Sequence, residues 1–196
     1  MKYFISDIHF YHENVIKFDS RPFSSIEEMN QTLIDNWNKV VKKNDDVYIL
    51  GDFCWKTASA EEYEKLVSAL NGFKHLIAGN HDPKFSEVQK NKFWASYSDY
   101  KELVDDGKQL ILCHYPIPFY KADYKESVWM LYGHVHVTHE AIAMEELTQK
   151  LAASPHMEGQ NRGHLINVGC MMPYMNYTPQ PLEVIIKAWE EKYGKV

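Results

Sequence analysis

At 196 residues the chain is long enough to bury a substantial core in one domain. Its 45% hydrophobic and 24% charged content is that of an ordinary globular protein. The longest apolar run, Val128–Tyr132, falls far short of the roughly 20 residues a membrane helix needs, so no membrane partner is expected.

The formal net charge is −6, from 21 basic and 27 acidic side chains, and only Arg21 and Arg162 are arginines. No Lys/Arg stripe runs along the chain to neutralise the phosphates of a long nucleic acid, so that partner is disfavoured. A small phosphate ester remains open to an acidic chain if metal ions supply the positive charge. Cys54, Cys113 and Cys170 are too few and too scattered for a disulfide framework or a CxxC site. They read as buried thiols in a reducing compartment. The N-terminus enters a strand at once, without the apolar stretch of a secretory signal, so the cytoplasm is the expected location.

The elements alternate between strand and helix patterns. Tyr3-Phe4-Ile5-Ser6 reads as a buried strand, followed by a helical turn at Asn14–Phe18 and an irregular loop through Asp19-Ser20-Arg21-Pro22-Phe23. Ser25 caps a helix to about Val41, in which Ile26, Met29, Leu33, Ile34, Trp37 and Val41 keep helical spacing. Val47–Leu50 is the next strand. Ser59 and Glu62 form a capping box that opens a helix to about Leu70, ended by Asn71-Gly72. A strand at 74–78 leads to a short helix around Pro83–Lys92. Further strands are expected near 99–104, 109–113, 128–132, 164–168 and 182–187, with a last helical turn at Ala188–Tyr193. No internal repeat or low-complexity tract interrupts this order, and one domain spanning 1–196 is the reading. Segment 139–163 differs. Ile142, Met144, Leu147 and Leu151 suit a helix, then Pro155, Gly159 and Gly163 mark a loop. It is either a surface helix packing on the core or a helical insertion that serves as a lid or a dimer contact.

Five of the strands end on side chains able to bind metal. They run into Asp7-Ile8-His9, Gly51-Asp52, Gly79-Asn80-His81-Asp82, His114 and Gly133-His134-Val135-His136. Ligands at strand C-termini can converge on one edge of an α/β sheet. In an extended chain, residues i and i+2 point the same way. Asp7 and His9 can therefore share an ion, as can His134 and His136, with Gly133 permitting a sharp turn. Asp52 is placed to bridge two ions. Carboxylate, amide and imidazole together suit Mn, Fe or Zn better than Ca or Mg, and the thiols lie outside the clusters. Each cluster alone has an ordinary explanation as a turn or a buried histidine. All five in this order, each after an apolar strand, do not.

At these residues the chain resembles the calcineurin-like metallophosphoesterases, in a small single-domain bacterial and phage subgroup. The pattern is Asp-x-His, Gly-Asp, Gly-Asn-His-Asp, His, Gly-His-x-His over residues 7–136. The resemblance implies an α/β fold, a two-layer β-sandwich of mixed sheets flanked by helices in four layers (αββα). It implies one metal held by Asp7, His9, Asp52 and His136, and a second by Asp52, Asn80, His114 and His134. The expected cofactors are two divalent transition-metal ions, Mn²⁺ favoured, with Fe, Zn, Co or Ni also compatible. His81 would face the substrate and stabilise the pentacoordinate state or protonate the leaving oxygen. Gly51-Asp52-Phe53-Cys54-Trp55 departs from the extended second motif of the protein-phosphatase branch. A water between the two ions would lose a proton near neutral pH and attack phosphorus in line.

Arg21 and His12 are candidate phosphate contacts, because an Arg fork suits phosphate oxygens. Asp82 is expected to cap the following turn rather than orient His81. His139, His156 and His164 are read as surface or supporting residues. Phe53, Trp55, Tyr115, Phe119 and Tyr120 are candidates for a base- or aryl-binding pocket or for ordinary packing. The expected activity is hydrolysis of a small phosphodiester. The alternatives are a nuclease on short or single-stranded nucleic acid, a phosphomonoesterase and, remotely, a silent protein-binding scaffold. Neither substrate nor oligomeric state is written in the sequence.

Overall fold

The computed structural model describes residues 1–55, 57–153 and 163–194. Its first sheet contains β1 (Lys2–Ile5), β2 (Asp46–Ile49), β3 (Phe73–Ile77) and β4 (Ser96–Ser98) in that spatial order. All are parallel, with Tyr3 opposite Val47 and Val47 opposite Lys74. Parallel strands buried on both faces read as unbroken apolar runs, which is why β1 and β2 stand out in the sequence. The crossovers carry α1 (Glu13–Phe18) and α2 (Ile26–Val40), then α3 (Ala60–Ala69), then α4 (Glu87–Phe93). Ser25 caps α2 by accepting from the Glu28 N–H, and Ser59 and Glu62 form the expected box at α3. The helix α4 begins later than expected, because a second capping box, Ser86 with Gln89, sets its start.

At Asp99 the chain leaves the first sheet for the second. That sheet holds β5 (Tyr100–Asp105), β6 (Lys108–Cys113), β7 (Val128–Tyr132) and β8 (Leu165–Asn167), again in spatial order. Only β5 and β6 are antiparallel, joined by Asp106-Gly107, whose φ angles of 46° and 72° suit a tight hairpin. The strand expected at 99–104 is thus the second of two. Its neighbour β4, Ser-Tyr-Ser, lacks the apolar run that would have signalled it.

The two sheets share a core. Alternate residues of the second sheet, Leu110, Leu112, Trp129, Leu131 and Ile166, join β1–β3, α2 and α3 in one hydrophobic cluster. The intervening residues Ile111, Val128, Met130, Tyr132 and Leu165 face the other way. There they meet Met144, Leu147 and Leu151 of α5 (His139–Ala153). Helix, sheet, sheet and helix stack as four layers, with the first sheet wholly parallel and the second mixed. The described part of the 139–163 segment is therefore a helix covering a sheet. Residues 154–162, including His156, lie outside the described residues.

The strand expected at 182–187 is instead the first half of α6 (Leu182–Tyr193). Val184-Ile185-Ile186 favours a strand by local preference, but Leu182, Ile185 and Trp189 are the residues that become buried, at helical spacing. Pro181 precedes the first turn, where a missing N–H costs little. Trp189 packs edge-on against Trp129 and His164. His164 is fully buried there, with its ring stacked 4.1 Å from Trp129, and is a core residue rather than a surface one.

Candidate metal centre

The loops after β1, β2, β3, β6 and β7 meet at one edge of the sandwich. Pairing continues past the ends of β1 and β2. The Asp7 N–H donates to Gly51 O at 3.1 Å and the His9 N–H to Asp52 O at 2.9 Å. The donors do not lie in extended chain, as the spacing argument assumed. Asp7, His9, Asp52, His134 and His136 have φ of 54°, 56°, 52°, 72° and 44°. Left-handed backbone costs a non-glycine residue roughly 1–2 kcal/mol, and such strain concentrates where a site needs it. Coiling of the backbone, not pleating, turns Asp7 and His9 toward the same point. Gly133 serves by its lack of a side chain: a Cβ there would overlap Ser6 and Asp7.

Asp7, His9, Asp52 and His136 each offer one ligand atom, all within 4.8 Å of one another. His136 Nε2 lies 3.4 Å from Asp7 Oδ1 and 3.1 Å from His9 Nε2. A second group adjoins the first. His114 Nε2 is 3.0 Å from Asn80 Oδ1, and His134 Nδ1 is 3.1 Å from the same oxygen. Asp52 stands between the groups, its Oδ2 3.5 Å from His9 Nε2 and 3.6 Å from His114 Nε2.

Hydrogen bonds decide which way these rings present their lone pairs. His136 Nδ1 is 2.8 Å from the Asp19 carboxylate, and His114 Nδ1 is 2.8 Å from the Leu50 carbonyl. Both partners only accept, so each Nδ1 carries a proton and each ring turns its Nε2 inward. In each group these nitrogens confront carboxylate or amide oxygens. Imidazole nitrogens and carboxylate or amide oxygens converging this closely form a donor set that fits a divalent metal. Burial and the neighbouring His136 and Arg21 charges push His9 far down, and burial also lowers His134, so both stay neutral donors. Burial alone would lower His136, but its bond to Asp19 and the Asp7 charge outweigh that and raise it.

Supporting groups fix the carboxylates. The His134 N–H donates to Asp7 at 3.1 Å, and the His81 N–H to Asp52 Oδ1 at 2.8 Å. Asp82 does not cap the turn that follows it; it ties the turn that precedes it to the Asp52 loop. It accepts from the N–H groups of Gly79, Asp52 and Phe53 at 2.8–2.9 Å. Burial pushes its carboxyl up to about 6, against the pull of those three donors.

Arg21 is not at the substrate face. It is buried, and its guanidinium donates to the Asp7 and Ile8 carbonyls at 2.8 Å and to Asp19 at 2.9 Å. It braces the first metal loop from beneath. Asp19 lies in a stretch that the sequence marks only as loop. The i, i+2 acid–base pair Asp19/Arg21 beside the first motif was the one available signal. His12 lies closer to its expected place. It is mostly buried, held down to about 4 by burial and by neighbouring His81 and Arg21, and stacked on Trp55 with centroids 3.7 Å apart. His81 lies 5.0 Å from Trp55 and 5.6 Å from His9. Among the five aromatics, Trp55 lines a cleft with His12 and His81. Phe53 and Tyr120 are buried in the two cores, Phe119 is exposed, and Tyr115 packs edge-on against His134. His139 is the exposed first residue of α5.

A four-layer α/β sandwich with aspartates and histidines gathered at its strand ends defines a metal-dependent hydrolase. The chain belongs to the calcineurin-like phosphoesterase family, whose profile matches residues 3–153. It is 36% identical to the uncharacterized protein MJ1445 of Methanocaldococcus jannaschii over 194 residues, covering 99% of this chain and 93% of that protein. It is also 35% identical to the Gene 66 protein of Mycobacterium phage L5 over 81 residues, 41% of this chain and 39% of that one. A solved structure of a protein of unknown function from Aquifex aeolicus, AQ665, superposes with a TM-score of 0.68 at 30% identity, covering 96% and 98% of the two chains. Family and donor cluster together support metal-dependent phosphoester hydrolysis. Among the described residues, no helix is long and apolar enough to cross a membrane.

Proposed function

We propose that the protein hydrolyses small phosphodiesters with two divalent transition-metal ions, manganese favoured. Asp7, His9, Asp52 and His136 would hold one ion, and Asp52, Asn80, His114 and His134 the other. The observation that carries this reading is the position of Asp52, whose Oδ2 is near-equidistant from His9 and His114. Bound there, the ions would acidify a water and neutralise charge on the phosphate oxygens.

The chain's own residues do the rest. Asp19 and the Leu50 carbonyl hold His136 and His114 in the donor tautomer. Asp82 ties the Asp52 loop to the Asn80 loop, so the two donor groups keep their separation. His81, anchored through its backbone on Asp52 and open to the cleft, is the group positioned to hold or deliver a proton at the ester's leaving oxygen. Arg21 acts beneath the site and is not assigned to the substrate.

Chelator-stripped protein should hydrolyse bis-(p-nitrophenyl) phosphate only after Mn²⁺ is restored, and Asn80→Ala should abolish that recovery. A preference for p-nitrophenyl phosphate would point to the monoesterase. Turnover of short single strands alone would point to a nuclease.

A further inference from the structure

The cleft beside the metal donors has a chemistry of its own. Its volume is about 410 Å³, within the roughly 300–1,000 Å³ of small-molecule sites. One side is formed by His9, His136 and His81, the rim of the donor cluster. The other is aromatic. His12 lies flat on Trp55, their planes 9° apart, and Trp55 continues toward His81. At the mouth Phe18 meets His12 edge-on at 6.2 Å, and the residue is 69% exposed. A ring that sits on a cleft wall and keeps most of its surface in water has a face free to stack on a planar guest.

The remaining lining narrows the guest. Asn14 and Thr138 border the cleft; the Asn14 amide can donate and accept at a polar edge, while the Thr138 hydroxyl, which donates to the Val135 carbonyl, can only accept. Among the described lining residues there is no lysine or arginine, and Arg21 is spent on Asp19 and two carbonyls. None of these described residues supplies a lysine or arginine for a second phosphate. An aliphatic alcohol would leave the aromatic wall unused, and a polyphosphate would find no lysine or arginine among the described lining residues.

We propose that this cleft binds the nucleobase of a phosphodiester bearing a single phosphate. The base stacks on Phe18 and the Trp55 edge, Asn14 and Thr138 meet its polar rim, and the phosphate lies over the histidine donors. The assignment deepens the phosphodiesterase reading and rests on it.

Two measurements separate the assignment from that reading. In the first, metal-free full-length protein is mixed with adenosine or with ribose, and saturation transfer from protein to ligand protons is followed by NMR. Transfer to the adenine protons, absent with ribose and lost in Phe18→Ala but retained in Phe18→Tyr, is the expected result. In the second, Mn²⁺-loaded protein is assayed on the p-nitrophenyl ester of thymidine 5′-phosphate and on methyl p-nitrophenyl phosphate. The wild type should show the lower KM for the thymidine ester. Phe18→Ala should narrow the KM ratio about fivefold, the low end of base–aromatic stacking. Equal KM values with no adenosine contact would overturn the nucleobase assignment. Adenosine contact without turnover of either ester would uphold the cleft and sink the diesterase reading.

Discussion

The Asp19 carboxylate accepts the Nδ1–H of His136 at 2.8 Å, although 117 residues separate them, and Arg21 grips the same carboxylate at 2.9 Å. A ligand histidine held by a carboxylate through its far nitrogen is the arrangement that orients the ring and raises its basicity. Here the carboxylate is itself fixed by a buried guanidinium that also holds the Asp7 and Ile8 carbonyls. The first metal loop, the short helix α1 and the last motif are thereby locked together.

Asp19→Asn should therefore keep the fold while weakening metal binding by roughly 10–100-fold, the usual loss when such a partner is removed. Competition against a chromophoric chelator would read this directly. Unchanged affinity would show that His136 is oriented by packing alone.

Arg21→Ala removes one member of a buried ion pair and leaves the Asp19 charge behind. A loss of about 3–5 kcal/mol in unfolding free energy is expected, measured by urea denaturation of metal-free protein. A loss below about 1 kcal/mol would match an exposed pair and contradict the burial described.

Asp52→Asn should abolish hydrolysis and lower the bound metal from two ions to one or none per chain, read by elemental analysis. Asn80→Ala should cost only the second ion. Two ions retained in Asp52→Asn would mean that this carboxylate is not shared.

The acid limb of stability tests the same pair. Burial alone would raise the Asp19 carboxyl, but the bond to His136 and the Arg21 charge hold it below the usual carboxylate value. A depressed folded-state pKa stabilises the fold above the unfolded value and loses that contribution as pH falls through the folded one. The stability gap between wild type and Asp19→Asn, both metal-free, should be full at pH 7 and shrink toward pH 3. A gap independent of pH would place the effect in packing.

The gathering of candidate donors at one edge was legible because each follows an apolar strand by a short, fixed interval, so chain order alone brings them together. Helix starts at Ser25 and Ser59 were legible for a similar reason, since a cap is a local hydrogen bond. The fate of 182–187 was not local: Val184, Ile185 and Ile186 suit either period, and burial of Leu182, Ile185 and Trp189 against the sandwich chose the helix. The break at Asp99 was hidden because β4 pairs through its backbone, with little apolar signal of its own.

The sequence by itself determined the class of chemistry: a run of aspartates, histidines and an asparagine in one order after buried strands, and no basic stripe. Only the tertiary structure decided how those donors are held. Left-handed backbone at Asp7, His9, Asp52, His134 and His136 aims them, and although Asp and His tolerate that conformation more often than most residues, their presence does not specify it. Arg21 illustrates the difference. Its charge suggested a phosphate contact, but burial beneath the loop turned that charge inward to Asp19, because a desolvated cation is stable only beside the partner the fold brings to it.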